Sequence, residues 1–117
     1  MNGDEFPKQP WKWREKKEEP KGTKHDGEKP DYSLLSFHAL DELVKVLTYG
    51  AKKYSRDNWK AVPDFHHRYL AAALRHIGAH ARGEERDPET GYLHLSHAVA
   101  SLMFIVEDKH TNGDSNA

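Results

Sequence analysis

Three histidines occupy positions where a small helical core would be apolar. His94 and His97 open the run from His94 to Val106, and His76 lies among alanine and leucine between Tyr69 and Gly78. An imidazole in such surroundings costs free energy unless a charge, a metal or a ligand satisfies it. Residues three apart on a helix point the same way, so His94 and His97 can share one metal or one phosphate. The competing reading is a pair of helix-end histidines bonded to backbone or to the acidic loop beside them. That loop, Glu84 to Gly91, carries four carboxylates in eight residues. It can hold a divalent cation or simply keep a turn solvated. Asp87 stands out because Pro88 stiffens the backbone next to it, although an ordinary turn aspartate reads the same way. Oxygen donors suit Mg²⁺, whereas imidazole suits Mn²⁺, Co²⁺ or Zn²⁺ better.

Further residues could complete such a site. Glu42 is a candidate ligand or general base, or a surface partner of Lys45. Lys29, Lys53 and Arg75 can meet phosphate oxygens, or remain solvated bases. Asn58 and Trp59 form a pair able to read and stack on a nucleobase, or a plug between helices. The pattern His-Glu-x-x-His is absent, which removes support for metalloprotease chemistry.

These residues need elements to position them, and the composition limits the choice. The chain has 117 residues, no cysteine and a formal net charge of −1. One small domain is the most it can form. Disulfides and thiolate metal sites are excluded, and no global attraction to nucleic acid or anionic lipid exists. No apolar stretch approaches the roughly 20 residues that span a bilayer, so a soluble, intracellular protein is expected. Before Leu34 there is no Leu, Ile, Val or Ala. Residues 1–23 therefore read as a flexible charged tail in which Phe6, Trp11 and Trp13 are the exceptions, and 111–117 as a second flexible end. The domain is expected at 24–110, with only about 75 residues of ordered core, a size that oligomerisation to a dimer or tetramer would support.

Within that core the apolar periodicity is helical and no strand alternation appears, which makes the class all-α with three main helices. Leu40, Leu43, Val44, Leu47, Ala51 and Tyr54 predict a helix over roughly 37–54, with Glu42, Lys45, Tyr49 and Lys53 opposite. Gly50 marks either a close approach or a weak turn. Asp64 is a plausible N-cap for a second helix whose stripe is Leu70, Ala73, Leu74, Ile77 and Ala81, stopped by Gly83. Tyr69, Ala72, His76 and His80 run on an adjacent line. The third helix, about 93–108, directs Leu95, Ala98, Val99, Leu102, Ile105 and Val106 inward. Met103 and Phe104 make it apolar nearly all round, so it is expected to be central and buried.

Taken in order, Lys29-Pro30-Asp31, the run ALDELVKVLTYGAKKY from Ala39 to Tyr54, Asn58-Trp59, Leu74-Arg75-His76, Gly83-Glu84, Asp87 to Gly91, and His94-Leu95-Ser96-His97 resemble a phage family of dATP/dGTP diphosphohydrolases allied to the MazG-like all-α nucleoside triphosphate pyrophosphohydrolases. The likeness covers about 22–107. It implies hydrolysis of a purine deoxynucleoside triphosphate to the monophosphate and pyrophosphate, with a divalent metal, Mg²⁺ first. In that scheme Glu42, Asp87 and His94 are catalytic, and Glu42, His76, Asp87, His94 and His97 hold metal. Lys29, Lys53, Asn58, Trp59 and Arg75 would bind substrate. The broader MazG pattern has Glu-x-x-Glu and Glu-x-x-Asp on successive helices; here His94-x-x-His97 stands at the comparable place. An HD-type phosphohydrolase is the rival enzyme class, but the His-Asp doublet occurs only at His25-Asp26. A phage protein that binds a host partner without catalysis is the other alternative.

Overall fold

The computed structural model describes residues 22–112 and divides into two units, Met1–Tyr32 and Ser33–Ala117. In the first unit the described stretch is almost wholly exposed, with one turn in which Lys29 N–H donates to the Asp26 carbonyl at 3.1 Å. Phe6, Trp11, Trp13 and residues 113–117 lie outside the described residues.

The second unit holds three helices: α1, Phe37–Lys53; α2, Phe65–Ala81; and α3, His94–Thr111. Short 3-10 turns occur at Tyr32–Leu34 and Asn58–Ala61. Among the described residues there is no strand, only an isolated bridge between Arg86 and Leu93. Each helix starts within a residue or so of the expectation, and α3 runs slightly further. Ser36 begins α1, its Oγ accepting the Ala39 N–H at 3.2 Å, which satisfies one of the orphan donors of a first turn. Asp64 precedes α2 as expected but does not cap it through its side chain; it sits in the left-handed region at φ 54°. Gly83 stops α2 at φ +104°. Its N–H donates to the His80 carbonyl and that of Glu84 to the Ala79 carbonyl, both at 3.0 Å, a glycine-dependent reversal that turns the chain back along the helix it has just left.

α2 and α3 run antiparallel: Tyr69 meets Phe104 with ring centroids 5.3 Å apart, while His76, two turns on, meets His97, two turns back, at 4.6 Å. α1 packs on α3 as well. The buried apolar residues are small, Val46, Ala73, Ala98 and Ala100, joined by Ser96, Ser101 and His94. Small side chains let backbones approach, so the helices pack closely with little apolar volume between them.

That packing corrects the expected core faces. On α1 the buried position is Val46, which lay off the expected stripe, while Val44, Ala51 and Tyr54 are exposed. On α2 only Ala73 of the stripe is buried, and Leu74 stays 59% exposed. α3 is not buried all round: Leu95, Val99, Leu102 and Val106 are exposed, Val106 at 66%. The reason is that a helix with two neighbours has a limited contact surface, and the line of histidines, serines, alanines and aromatics occupies it. Leu70, Leu74 and Ile77 on α2, and Leu95, Val99, Leu102 and Val106 on α3, recur at alternating steps of four and three, the spacing of a helix-packing seam. Gly50 has nothing within 4 Å of where a Cβ would stand, so no close approach within this chain accounts for it. No helix is long and apolar enough to cross a membrane among the described residues.

Beyond the histidines, α2 and α3 are closed by an aromatic cluster. Trp59 stacks on Phe104 at 4.8 Å with 12° between planes and lies 5.3 Å from Phe65, which in turn contacts Tyr69. Trp59→Ala should therefore lower unfolding free energy by about 2–4 kcal/mol, read as a shift of the urea midpoint at unchanged helical circular dichroism.

Candidate metal centre

His76 from the middle of α2, Asp87 from the α2–α3 loop and His94 from the first residue of α3 each offer a donor atom, all within 4.8 Å of one another. The helix ends explain why they meet. Gly83 folds the chain back, the Glu85 carbonyl accepts the His94 N–H at 2.9 Å, and Asp87 and Tyr92 pair through Asp87 N–H to the Tyr92 carbonyl at 2.8 Å. Gly91, at φ +77°, donates its N–H to the Asp87 carbonyl at 2.7 Å. The loop is thus a tight hairpin-like turn seated on the first turn of α3.

Asp87 is oriented by that turn. Its Oδ1 accepts the N–H groups of Glu89 at 2.7 Å and Thr90 at 3.3 Å, leaving Oδ2 at 3.9 Å from His76 Nδ1. Burial pushes the Asp87 pKa up, but those two amides and the neighbouring histidines outweigh it, and the net direction is down. The carboxylate is therefore ionised at neutral pH.

His76 Nδ1 and His94 Nδ1 lie 2.8 Å apart, and His94 Nε2 is 2.8 Å from Glu84 Oε1. His97 stacks on His76 with 11° between the rings, and its Nε2 is 2.8 Å from Thr90 Oγ1. Thr90 Oγ1 also accepts the Tyr92 N–H at 3.2 Å, so the hydroxyl that meets His97 is itself held in place by the turn. Burial lowers the pKa of His76, and the adjacent His97 and His94 lower it further. Burial also lowers that of His97, against an opposing pull from Asp87. Neutral imidazoles are what a metal requires. Donors at roughly 2.1 Å from one ion stand about 3–3.5 Å apart; with 2.8 Å between the two imidazole nitrogens, 3.9 Å from His76 to Asp87 and all three donors within 4.8 Å, a single cation would draw the carboxylate inward and replace the hydrogen bond between the rings.

Of the residues expected from sequence, His76, Asp87, His94 and His97 converge here. Glu42 does not belong to the cluster of three; its Oε2 pairs with Lys45 Nζ at 3.0 Å. Lys53 Nζ lies 3.0 Å from Glu89 Oε2, which also accepts the Tyr49 hydroxyl at 3.1 Å. The Lys53 ammonium and the Tyr49 hydroxyl hold the Glu89 carboxyl below its ordinary range, and Glu89 raises both of theirs. Arg75 is exposed on α2, and Lys29 is exposed in the first unit. Asn58 begins the 3-10 turn Asn58–Ala61, and Trp59 belongs to the aromatic cluster, where it borders a hollow of about 240 Å³ with Phe65 and Asp108. Sequence reasoning missed individual roles for Glu84, Glu89, Thr90 and Tyr49. Glu84 and Glu89 were visible only as members of an acidic loop, because which carboxylate faces inward depends on the turn.

Two carboxylate- and hydroxyl-braced imidazoles beside an ionised aspartate, on an antiparallel helix pair, define the class: an all-α protein with a candidate metal-binding centre. Residues 19–116 match the family described as "dATP/dGTP diphosphohydrolase, N-terminal", and the chain belongs to it. A relative from Salmonella phage PMBT28, named dATP/dGTP diphosphohydrolase, is 37% identical over 84 residues. The match covers 72% of this chain but only 28% of that protein, so the chain spans less than a third of its relative's length. No solved structure matches.

The depressed pKa values set a pH dependence. Unfolded histidines take up protons near their ordinary value, about 6.5, before His76 and His97 do in the fold. Stability is therefore undiminished above that value and falls as the pH drops toward the folded-state values. Thermal melts of chelator-treated protein should show a lower Tm at about pH 5.5 than at about pH 7.5, with a smaller difference in His76→Gln; an equal difference would assign the effect elsewhere.

Proposed function

We propose that this chain hydrolyses purine deoxynucleoside triphosphates, dATP and dGTP, to the monophosphate and pyrophosphate with a divalent cation held by His76, Asp87 and His94. The observation that carries this reading is the convergence of these three donors, in a chain of this family. The cation would neutralise phosphate charge and lower the pKa of a water for attack at the α-phosphorus. The residues supply the rest. Asp87 presents Oδ2 to the cation because its Oδ1 is anchored by two backbone amides. His97 supports His76 from one side and is itself fixed by Thr90. Lys53, Arg75 and Lys29 are the basic groups assigned to the phosphates; Lys53 would exchange Glu89 for a phosphate oxygen. Asn58 and Trp59 are assigned to the base, in addition to the packing role of Trp59. Glu42 is kept as a base or ligand that must first leave Lys45. Two imidazole nitrogens to one carboxylate weigh toward Mn²⁺ or Co²⁺, compared with the Mg²⁺ expected from the family resemblance.

We also propose that the chain is a homo-oligomer joined through the exposed seams of α2 and α3. Their four-and-three spacing suits helix-to-helix packing, and the residues of the seams are uncharged.

Incubation with dATP or dGTP and Mn²⁺, Co²⁺ or Mg²⁺ should release the monophosphate and pyrophosphate, resolved by anion-exchange chromatography. Asp87→Asn and His94→Ala should each reduce turnover by about a hundredfold or more without loss of helix. Turnover unchanged in both would remove the cluster from the reaction, and full activity of Glu42→Ala would remove Glu42. An HD-type phosphohydrolase would give other products, and a host-binding protein none. For the oligomer, light scattering should show a mass above that of one chain, reduced to one chain in the double variant Leu74→Glu and Val99→Glu; a monomeric wild type would overturn the self-association.

A further inference from the structure

We propose that Glu84 is a positioning residue that fixes the ring proton of His94 on Nε2 and so directs the Nδ1 lone pair into the metal centre. The inference rests on the metal-binding reading of the cluster, and on no particular substrate. A carboxylate accepts hydrogen bonds and cannot donate, so the 2.8 Å contact between His94 Nε2 and Glu84 Oε1 is a bond donated by His94. A neutral His94 then has its lone pair on Nδ1, the atom 2.8 Å from His76 Nδ1. His94 is buried whereas the Glu84 side chain is 54% exposed. Glu84 reaches this place because the reversal at Gly83 points it back at the start of α3, where the Glu85 carbonyl also holds the His94 N–H. Side chain and backbone of successive residues thus fix the ring and its helix together. A carboxylate behind a metal-binding imidazole selects the tautomer and raises the basicity of the donor nitrogen.

The test uses the full chain and two readouts that need no nucleotide. In metal-free, ¹⁵N-labelled protein, long-range ¹H–¹⁵N correlation should show His94 protonated on Nε2, with that preference lost in Glu84→Ala and kept in Glu84→Gln, whose amide oxygen still accepts. Titration with Mn²⁺ should show affinity reduced about 10–100-fold in Glu84→Ala and largely recovered in Glu84→Gln. A bond that only braces the start of α3 would leave the tautomer unchanged. A His94 proton on Nδ1 in the wild type, or Glu84→Ala binding Mn²⁺ as tightly as the wild type, would overturn the proposal. Intact Mn²⁺ binding and the expected tautomers, with no turnover of any deoxynucleotide, would overturn the hydrolase reading and leave this one standing.

Discussion

Placing three imidazoles between two antiparallel helices commits the molecule to satisfying them. Each ring removed from water carries nitrogens that cost free energy when left unpaired, and α2 and α3 have no spare backbone groups to offer in mid-helix. The partners come from one short loop. Glu84 takes His94, Thr90 takes His97, and Asp87 stands opposite His76. The loop in turn depends on Gly83 and Gly91, both at positive φ, where other residues are strained.

The same loop is tied to α1 through Glu89. Its backbone N–H holds Asp87 Oδ1 while its side chain is bonded by Tyr49 and Lys53. One residue thereby links the carboxylate of the candidate centre to the helix that contributes none of the three clustered donors. These surface bonds are individually weak, and their contribution is to restrict where the turn can sit. A loop that must present one oxygen of one aspartate benefits from restriction more than from added stability.

Helix positions were legible in the sequence because apolar periodicity and Gly83 are local signals. The choice of packed face was not. Leu70, Leu74, Ile77, Val99 and Val106 carry the strongest periodic signal, yet they remain exposed while Ala73, Ala98, Ser101 and His94 are covered. Periodicity reports that a stripe will be covered by something, without saying that the cover is the same chain. Within one chain of this size the close contact went to the line that holds the candidate centre. Likewise the interest of His76, His94, His97 and Asp87 was visible from residue type and spacing, whereas Trp59, read as a base-stacking candidate or a plug, is seen packed against Phe104 and Phe65.

By itself, then, the sequence determined an all-α fold, the extents of three helices and the identity of the histidines and aspartate at the candidate centre, since each follows from local spacing and residue chemistry. Only the tertiary structure decided that Glu84 and Thr90 brace the imidazoles and that Glu89 joins Lys53. Those pairings join atoms whose distance depends on how a glycine reverses the chain and how two helices align, and that information is carried by no single stretch of residues.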